Sequence, residues 1–256
     1  MDEKAPYVYN TPAVNSPIMA ASRASVRAVV ALFILFTVTF YSWRSWTLSS
    51  PLYLQLQPSS PTPESNPVDQ KALVPLEAHI ISKCPDTRDA LRELILPAMM
   101  RVHDKVDFRL SYIGTPTAND GVQCKHGPSE CMGNIIELCA SELYPDPKIS
   151  LGFVMCLTRD YKHIPDRSLI EDCALEHAID FQQLNECATR DDGAHGMQLL
   201  RSSIERTAEA GVTISCTIRL NNETYCIRDG GEWIDCPHGA GVNDLVIAIE
   251  KLYHSS

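Results

Sequence analysis

Cys84-Pro85-Asp86-Thr87 is the first place in this sequence where a side chain could serve as a nucleophile. The cysteine follows a strand-like apolar run and opens a predicted helix. A helix N-terminus presents unpaired N–H groups and the positive end of the peptide dipoles, which favour a thiolate. Pro85 suits an early helical position, where its fixed φ is already correct. The same placement suits a structural half-cystine that happens to precede a helix, and position alone does not separate the two.

Nine more cysteines follow. All ten lie between Cys84 and Cys236, and none lies in the first 83 residues. An even number confined to one segment points to disulfides and an oxidising compartment, with free thiols or a zinc site as alternatives. The densest stretch runs Cys124-Lys125-His126-Gly127-Pro128-Ser129-Glu130-Cys131-Met132-Gly133-Asn134 and on to Cys139. Structural zinc sites use closer pairs, C-x₂₋₄-C or H-x₃₋₅-H, so no metal is expected here. His126 and Glu130 read as hydrogen-bonding or capping residues rather than an acid/base pair. His79, His103, His163, His177 and His195 are scattered over unrelated segments. No paired-carboxylate or Ser/His/Asp arrangement and no phosphate-binding glycine loop stands out, so no cofactor is called for. Asn222-Glu223-Thr224 is an N-glycosylation sequon in a predicted turn.

These residues need elements to hold them. Leu76–Ser82 reads as a strand, Asp86–His103 as a helix that Pro97 can kink, and Val106–Ile113 as an alternating strand. Residues 129–208 read as wholly helical. Val212–Leu220 reads as a strand. Glu223–Arg228 and Glu232–Asp235 flank an Asp229-Gly230-Gly231 turn, which signals a hairpin. Asn243–Tyr253 is a final amphipathic helix. The order β-α-β, helical insertion, hairpin, helix is that of an α/β, thioredoxin-like fold occupying residues 73–256.

The N-terminal part is different in kind. Residues 1–27 are polar and without periodicity, and are expected to be a disordered cytosolic tail. Ala28–Trp43 carries no charge and is bracketed by Arg27 and Arg44. As a helix it spans about 24 Å, short for a core of about 30 Å, but snorkelling arginines and interfacial Trp43 and Trp46 extend it. Residues 28–46 are therefore expected to form an uncleaved transmembrane signal anchor, favoured over a cleaved signal peptide. Lys4, Arg23 and Arg27 precede the span, which places the C-terminal domain in the lumen as a single-pass type II protein. Residues 47–72 are Pro/Ser-rich and read as a stem. The net charge of −10 falls on residues 71–256, because charges cancel over 1–70. An acidic domain repels phosphate backbones, which argues against nucleic-acid partners.

The cysteine-rich stretch is more specific. Cys124, His126, Gly127, Glu130, Cys131, Asn134 and Cys139 reproduce C-x-H-G-x-x-E-C-x-x-N-x-x-x-x-C, and the chain from about 77 to 220 thereby resembles the gamma-interferon-inducible lysosomal thiol reductase family. Cys156, Cys173 and Cys187 fall where such proteins also carry cysteines. The resemblance implies a thioredoxin-like domain with an inserted, disulfide-stapled helical subdomain, which reduces protein disulfides in an endosomal or lysosomal lumen. It implies that Cys84 is the attacking cysteine. Thr87 stands where the resolving cysteine of a C-x-x-C pair belongs, and it cannot resolve a mixed disulfide. Cys84 then works with an external thiol, or with another cysteine of the chain, or activity is lost.

Cys216 is the candidate for the second route, because it lies where thioredoxin-like folds carry a cis-proline loop facing the active site. The six signature-region cysteines can pair among themselves, and Cys226 and Cys236 can close the hairpin, which leaves Cys84 and Cys216. The expected function is a thiol–disulfide oxidoreductase acting on disulfide-containing proteins through Cys84. The alternative is a catalytically degenerate, protein-binding lumenal module.

Overall fold

The computed structural model describes residues 32–40 and 71–255. The chain divides into two units, Met1–Asn66 and Pro67–Ser256. In the first, residues 32–40 form a helix with exposed side chains. Among the described residues no helix is long and apolar enough to cross a membrane. The predicted tail 1–27, the flanks of the predicted span 28–46 and the stem through residue 70 lie outside the described residues.

The second unit is built on a mixed sheet. Strand β1 (Val74–Ile80) leads into α1 (Pro85–Ala90), a wide π-type turn (Leu91–Ile95) and α2 (Leu96–Val102), then β2 (Val106–Tyr112). β2 lies parallel to β1 in the register Val74↔Val106 to Ile80↔Tyr112. The π-type turn sits where Pro97 demands it. Proline has no N–H, and its ring collides with the carbonyl four residues back, so the ladder widens: the Leu96 amide donates to the Leu91 carbonyl.

The chain then forms a short ribbon, β3 (Thr115–Pro116) with β4 (Val122–Gln123), followed by five helices. These are α3 (Pro128–Leu143), α4 (Pro147–Arg159), α5 (Arg167–Glu176), α6 (Phe181–Thr189) and α7 (Ala194–Glu209). It returns to the sheet as β5 (Thr217–Leu220), β6 (Glu223–Asp229) and β7 (Glu232–Ile234), and closes with α8 (Val242–Ser255). The sheet order is β2-β1-β5-β6-β7, with β5, β6 and β7 each antiparallel to the strand before it. A parallel β-α-β unit extended by an antiparallel hairpin and a terminal helix is the thioredoxin-like arrangement, with α3–α7 as the insertion.

Strand alternation divides the core. Leu76, Ala78 and Ile80 of β1 are fully buried on the face served by α1, α2 and α8, alongside Leu91, Leu94 and Ile95. His79 faces the other way, its Nδ1 3.0 Å from the Thr207 hydroxyl of α7. Tyr112 and Ser203 tie β2 to the same helix through an amide-to-hydroxyl bond of 2.8 Å.

Disulfides hold the insertion. Cys139–Cys187 joins α3 to α6, and Cys156–Cys173 joins α4 to α5. Cys124–Cys131 fixes the loop that enters α3, and Cys226–Cys236 ties β6 to the segment after β7.

Most strand boundaries shift from the sequence expectation, and two of the shifts have a clear physical reason. β1 stops at Ile80 rather than Ser82, because the next two amides turn to side chains. Ile81 N donates to Ser215 Oγ at 3.0 Å, and Ser82 N donates to Asn134 Oδ1 at 3.1 Å. β5 starts at Thr217 rather than Val212, because Val212 N is spent closing the end of α7 on the Thr207 carbonyl.

Candidate active site

Cys84 is the N-cap residue of α1, in extended backbone, with Pro85 as the first helical residue. Its carbonyl accepts from Arg88 N at 3.3 Å, so the helix begins directly on the cysteine. Its side chain is 8% exposed, and its sulfur is free. The sulfur lies 4.0 Å from the Ser215 carbonyl oxygen, in the loop that enters β5.

Thr87, one turn along α1, is fully buried. Its hydroxyl is 3.0 Å from Ser215 Oγ, and both oxygens accept from Ile81 N, Thr87 at the longer distance of 3.4 Å. The hydroxyl is thus engaged with Ser215 and the end of β1. Ser215 gathers the site: its hydroxyl meets Thr87 and Ile81, and its carbonyl meets Cys84. Sequence reading passed over it, since nothing in its local sequence announces a contact across more than 120 residues.

Cys216 follows Ser215 across a cis peptide bond. It is fully buried and free, and its amide and carbonyl pair with Arg228 of β6 at 3.0 and 2.9 Å. Burial pushes its thiol well above the ordinary cysteine range, and the neighbouring Cys84 and Asp86 add to that. Asp86 has a further role absent from the sequence reading. Its carboxylate accepts Gly230 N at 3.2 Å and Gly231 N at 2.9 Å, so the β6–β7 turn is latched to the first turn of the helix that Cys84 caps. Both glycines have positive φ, 57° and 82°, which aims successive amides at one carboxylate.

The signature stretch lies on the other side of Ser82. Cys124 and Cys131 are bonded to each other. Glu130 is fully buried and accepts the amides of Lys125 and His126, each at 3.1 Å, and it contacts His126 Nδ1. It therefore closes the loop that enters α3. Gly127 supplies that loop with φ 79°. Asn134 links the stretch to the site: Oδ1 holds the Ser82 amide, and Nδ2 lies 3.9 Å from the Cys124 sulfur. A cleft of about 460 Å³ opens between these parts, with Ile81, Ser215, Thr213, Cys124, Lys125 and Asp229 in its wall.

Among the described residues, two places bring a cysteine, a glutamate and a histidine together: Glu142, Cys187 and His195, and Cys156, Glu176 and His177. In each the cysteine is half of a disulfide and offers no thiolate to a metal. Asn222 is exposed at the β5–β6 turn, beside Asn221, and both have positive φ.

Residues 75–177 match the family model described as gamma interferon inducible lysosomal thiol reductase (GILT). That segment belongs to the family. GILT-like protein 1 of Drosophila melanogaster is 29% identical over 153 residues, which is 53% of this chain and 60% of that protein. GILT-like protein C02D5.2 of Caenorhabditis elegans is 26% identical over 164 residues, 61% of this chain and 48% of that protein. The chain thus spans about half to three fifths of the length of these relatives. Among solved structures it is similar to the thiol-disulfide exchange protein alpha-DsbA2 from Wolbachia pipientis (TM-score 0.48, 12% identity, 72% of this chain and 84% of that one). It is also similar to oxidised BdbD from Bacillus subtilis (TM-score 0.45, 17% identity, 71% and 88%). The GILT match contains Cys84, Thr87 and the whole signature, whereas Cys187, Cys216, Cys226 and Cys236 lie beyond it.

Proposed function

We propose that this GILT-family domain is a thiol–disulfide oxidoreductase that acts on disulfides in protein substrates through Cys84. The observation that carries the proposal is the free Cys84 sulfur, placed at the start of α1 and 4.0 Å from the carbonyl oxygen of Ser215, a residue in the wall of the cleft. In the reaction the Cys84 thiolate attacks one sulfur of a substrate disulfide. A Cys84–substrate disulfide forms, and the other substrate sulfur leaves as a thiolate and takes up a proton. Thr87 has no sulfur with which to complete the cycle. A low-molecular-weight thiol completes it by attacking the Cys84 sulfur, which releases the reduced substrate. A second such thiol then frees Cys84 and leaves as the disulfide.

Cys216 is the slower resolver. Its burial disfavours the thiolate that would have to attack. A Cys84–Cys216 bond is the form expected when external thiol is scarce. The domain works in a secretory or lysosomal lumen, anchored by residues 28–46 as a single-pass type II protein. The uncharged run 28–43, the bridged cysteines and the sequon at Asn222 support that placement.

The test is turnover of a disulfide-bonded protein substrate with cysteine or glutathione as reductant, at acidic and neutral pH. Trapping Cys84 in a mixed disulfide, and loss of turnover in Cys84→Ser, support the reading. If Cys84 resists alkylation in the native protein and Cys84→Ser binds unfolded substrate as well as the parent does, the degenerate binding module is the better account.

A further inference from the structure

A second cavity lies away from Cys84, between the β5–β6 hairpin and α8. It measures about 440 Å³, within the range of about 300–1,000 Å³ usual for small-molecule sites. Its wall on one side is the turn itself: Asn221, Glu223 and Thr224 line it. Tyr225 lies against it and is 2% exposed, yet its hydroxyl has no hydrogen-bond partner among the described residues. Buried hydroxyls normally have one, so this group points to a missing ligand atom. His238 stacks on the Tyr225 ring, with centroids 6.1 Å apart. On the α8 side Ile247 is 64% exposed, a large apolar side chain left open on a helix that otherwise buries its apolar face. Asp244 and Lys251 add a carboxylate and an ammonium at the rim, with one Asp244 oxygen held by Gly241 N at 3.0 Å.

Apolar surface for C–H faces, with a hydroxyl, an imidazole and charged groups at the edge, is the chemistry that receives a sugar ring. The occupant follows from position. Asn222, exposed at the tip of this hairpin, is the acceptor of the Asn222-Glu223-Thr224 sequon, and its neighbours on both sides line the cavity. We propose that Asn222 carries an N-linked glycan whose first N-acetylhexosamine folds back into this cavity. The link forms at the Asn222 amide nitrogen as the sugar's bond to a lipid-linked pyrophosphate donor breaks, and one amide proton is released. The inference rests on the lumenal placement proposed above, and is independent of Cys84 chemistry.

The experiment expresses the full chain in a eukaryotic secretory host and measures occupancy at Asn222 by peptide mass. The glycoprotein is then trimmed enzymatically to one residual sugar, or stripped completely, and hydrogen exchange is followed along α8. The expected result is an occupied Asn222 and exchange in α8 slowed about fivefold by the single sugar, which corresponds to about 1 kcal/mol of local stability. In Ile247→Ser that difference disappears while the stripped protein exchanges as before; Ile247 is exposed, so the variant keeps its fold. Equal exchange in trimmed and stripped forms overturns the seat, as does protection that survives Ile247→Ser. An unoccupied Asn222 overturns the proposal too, and a reporter sequon appended after Ser256 then shows whether lumenal placement has fallen with it.

Discussion

Between Cys84 and Ser215 the site offers one sulfur, one carbonyl and two hydroxyls, and no second thiol on the helix. Cys84→Ser is expected to lower reductase turnover at least about 100-fold, because a hydroxyl does not exchange with disulfides; steady-state assay at fixed reductant checks this. Thr87→Cys is the sharper test. It places a thiol one helical turn from Cys84, and is expected to raise turnover about tenfold when external thiol is limiting and little when it is in excess. No gain at low thiol would mean that the Thr87–Ser215 hydroxyl pair, rather than the missing sulfur, governs the site. The placement of Cys84 and Thr87 at a strand-to-helix junction was legible in sequence, because their spacing and the proline between them are local. Ser215 and Asp86 were not, because what they do depends on partners more than 120 residues away along the chain.

The wide turn at Leu91–Ile95 and the latch at Asp86 show how single residues shape whole elements. Asp86→Ala removes two amide-to-carboxylate bonds at the rim. It is expected to cost about 1 kcal/mol in urea unfolding, as these bonds are solvent-exposed, and to speed alkylation of Cys84 by freeing the β6–β7 turn. In the core the effect is larger. Leu94→Ala, at a fully buried position, is expected to cost about 2–5 kcal/mol in the same measurement. Long elements were readable from periodicity: β1, β2, the helices of the insertion and α8 fall close to their expected positions. The β3–β4 ribbon was not, since two residues per strand carry no period. Val212–Ser215 reads apolar and extended, and only the tertiary demands of α7 and Cys84 make it a loop.

Across the whole domain, one buried acid sets a pH dependence. Glu137 is fully buried in α3, accepts the Tyr112 hydroxyl at 2.7 Å, and has its pKa raised by burial to about 8. The folded state therefore holds this proton where the unfolded chain has already released it. Stability is fullest below the ordinary carboxylate range and falls as pH rises toward about 8, with a slope of up to about 1.4 kcal/mol per pH unit from this group. Unfolding at pH 5 and pH 8 is expected to show the acidic sample as the more stable, and Glu137→Gln to flatten the difference. Reduction of Cys139–Cys187, 48 residues apart, removes about 4 kcal/mol by loop-closure entropy, and is expected to lower the melting temperature more than reduction of Cys124–Cys131. The chain's first strand in this unit is also the middle of the sheet's parallel and antiparallel halves, held by β2 on one side and β5 on the other. A mechanical load entering at Lys71 would meet both ladders in shear at once, so the domain should resist pulling from its N-terminal end and then yield abruptly, instead of unzipping one edge strand at a time.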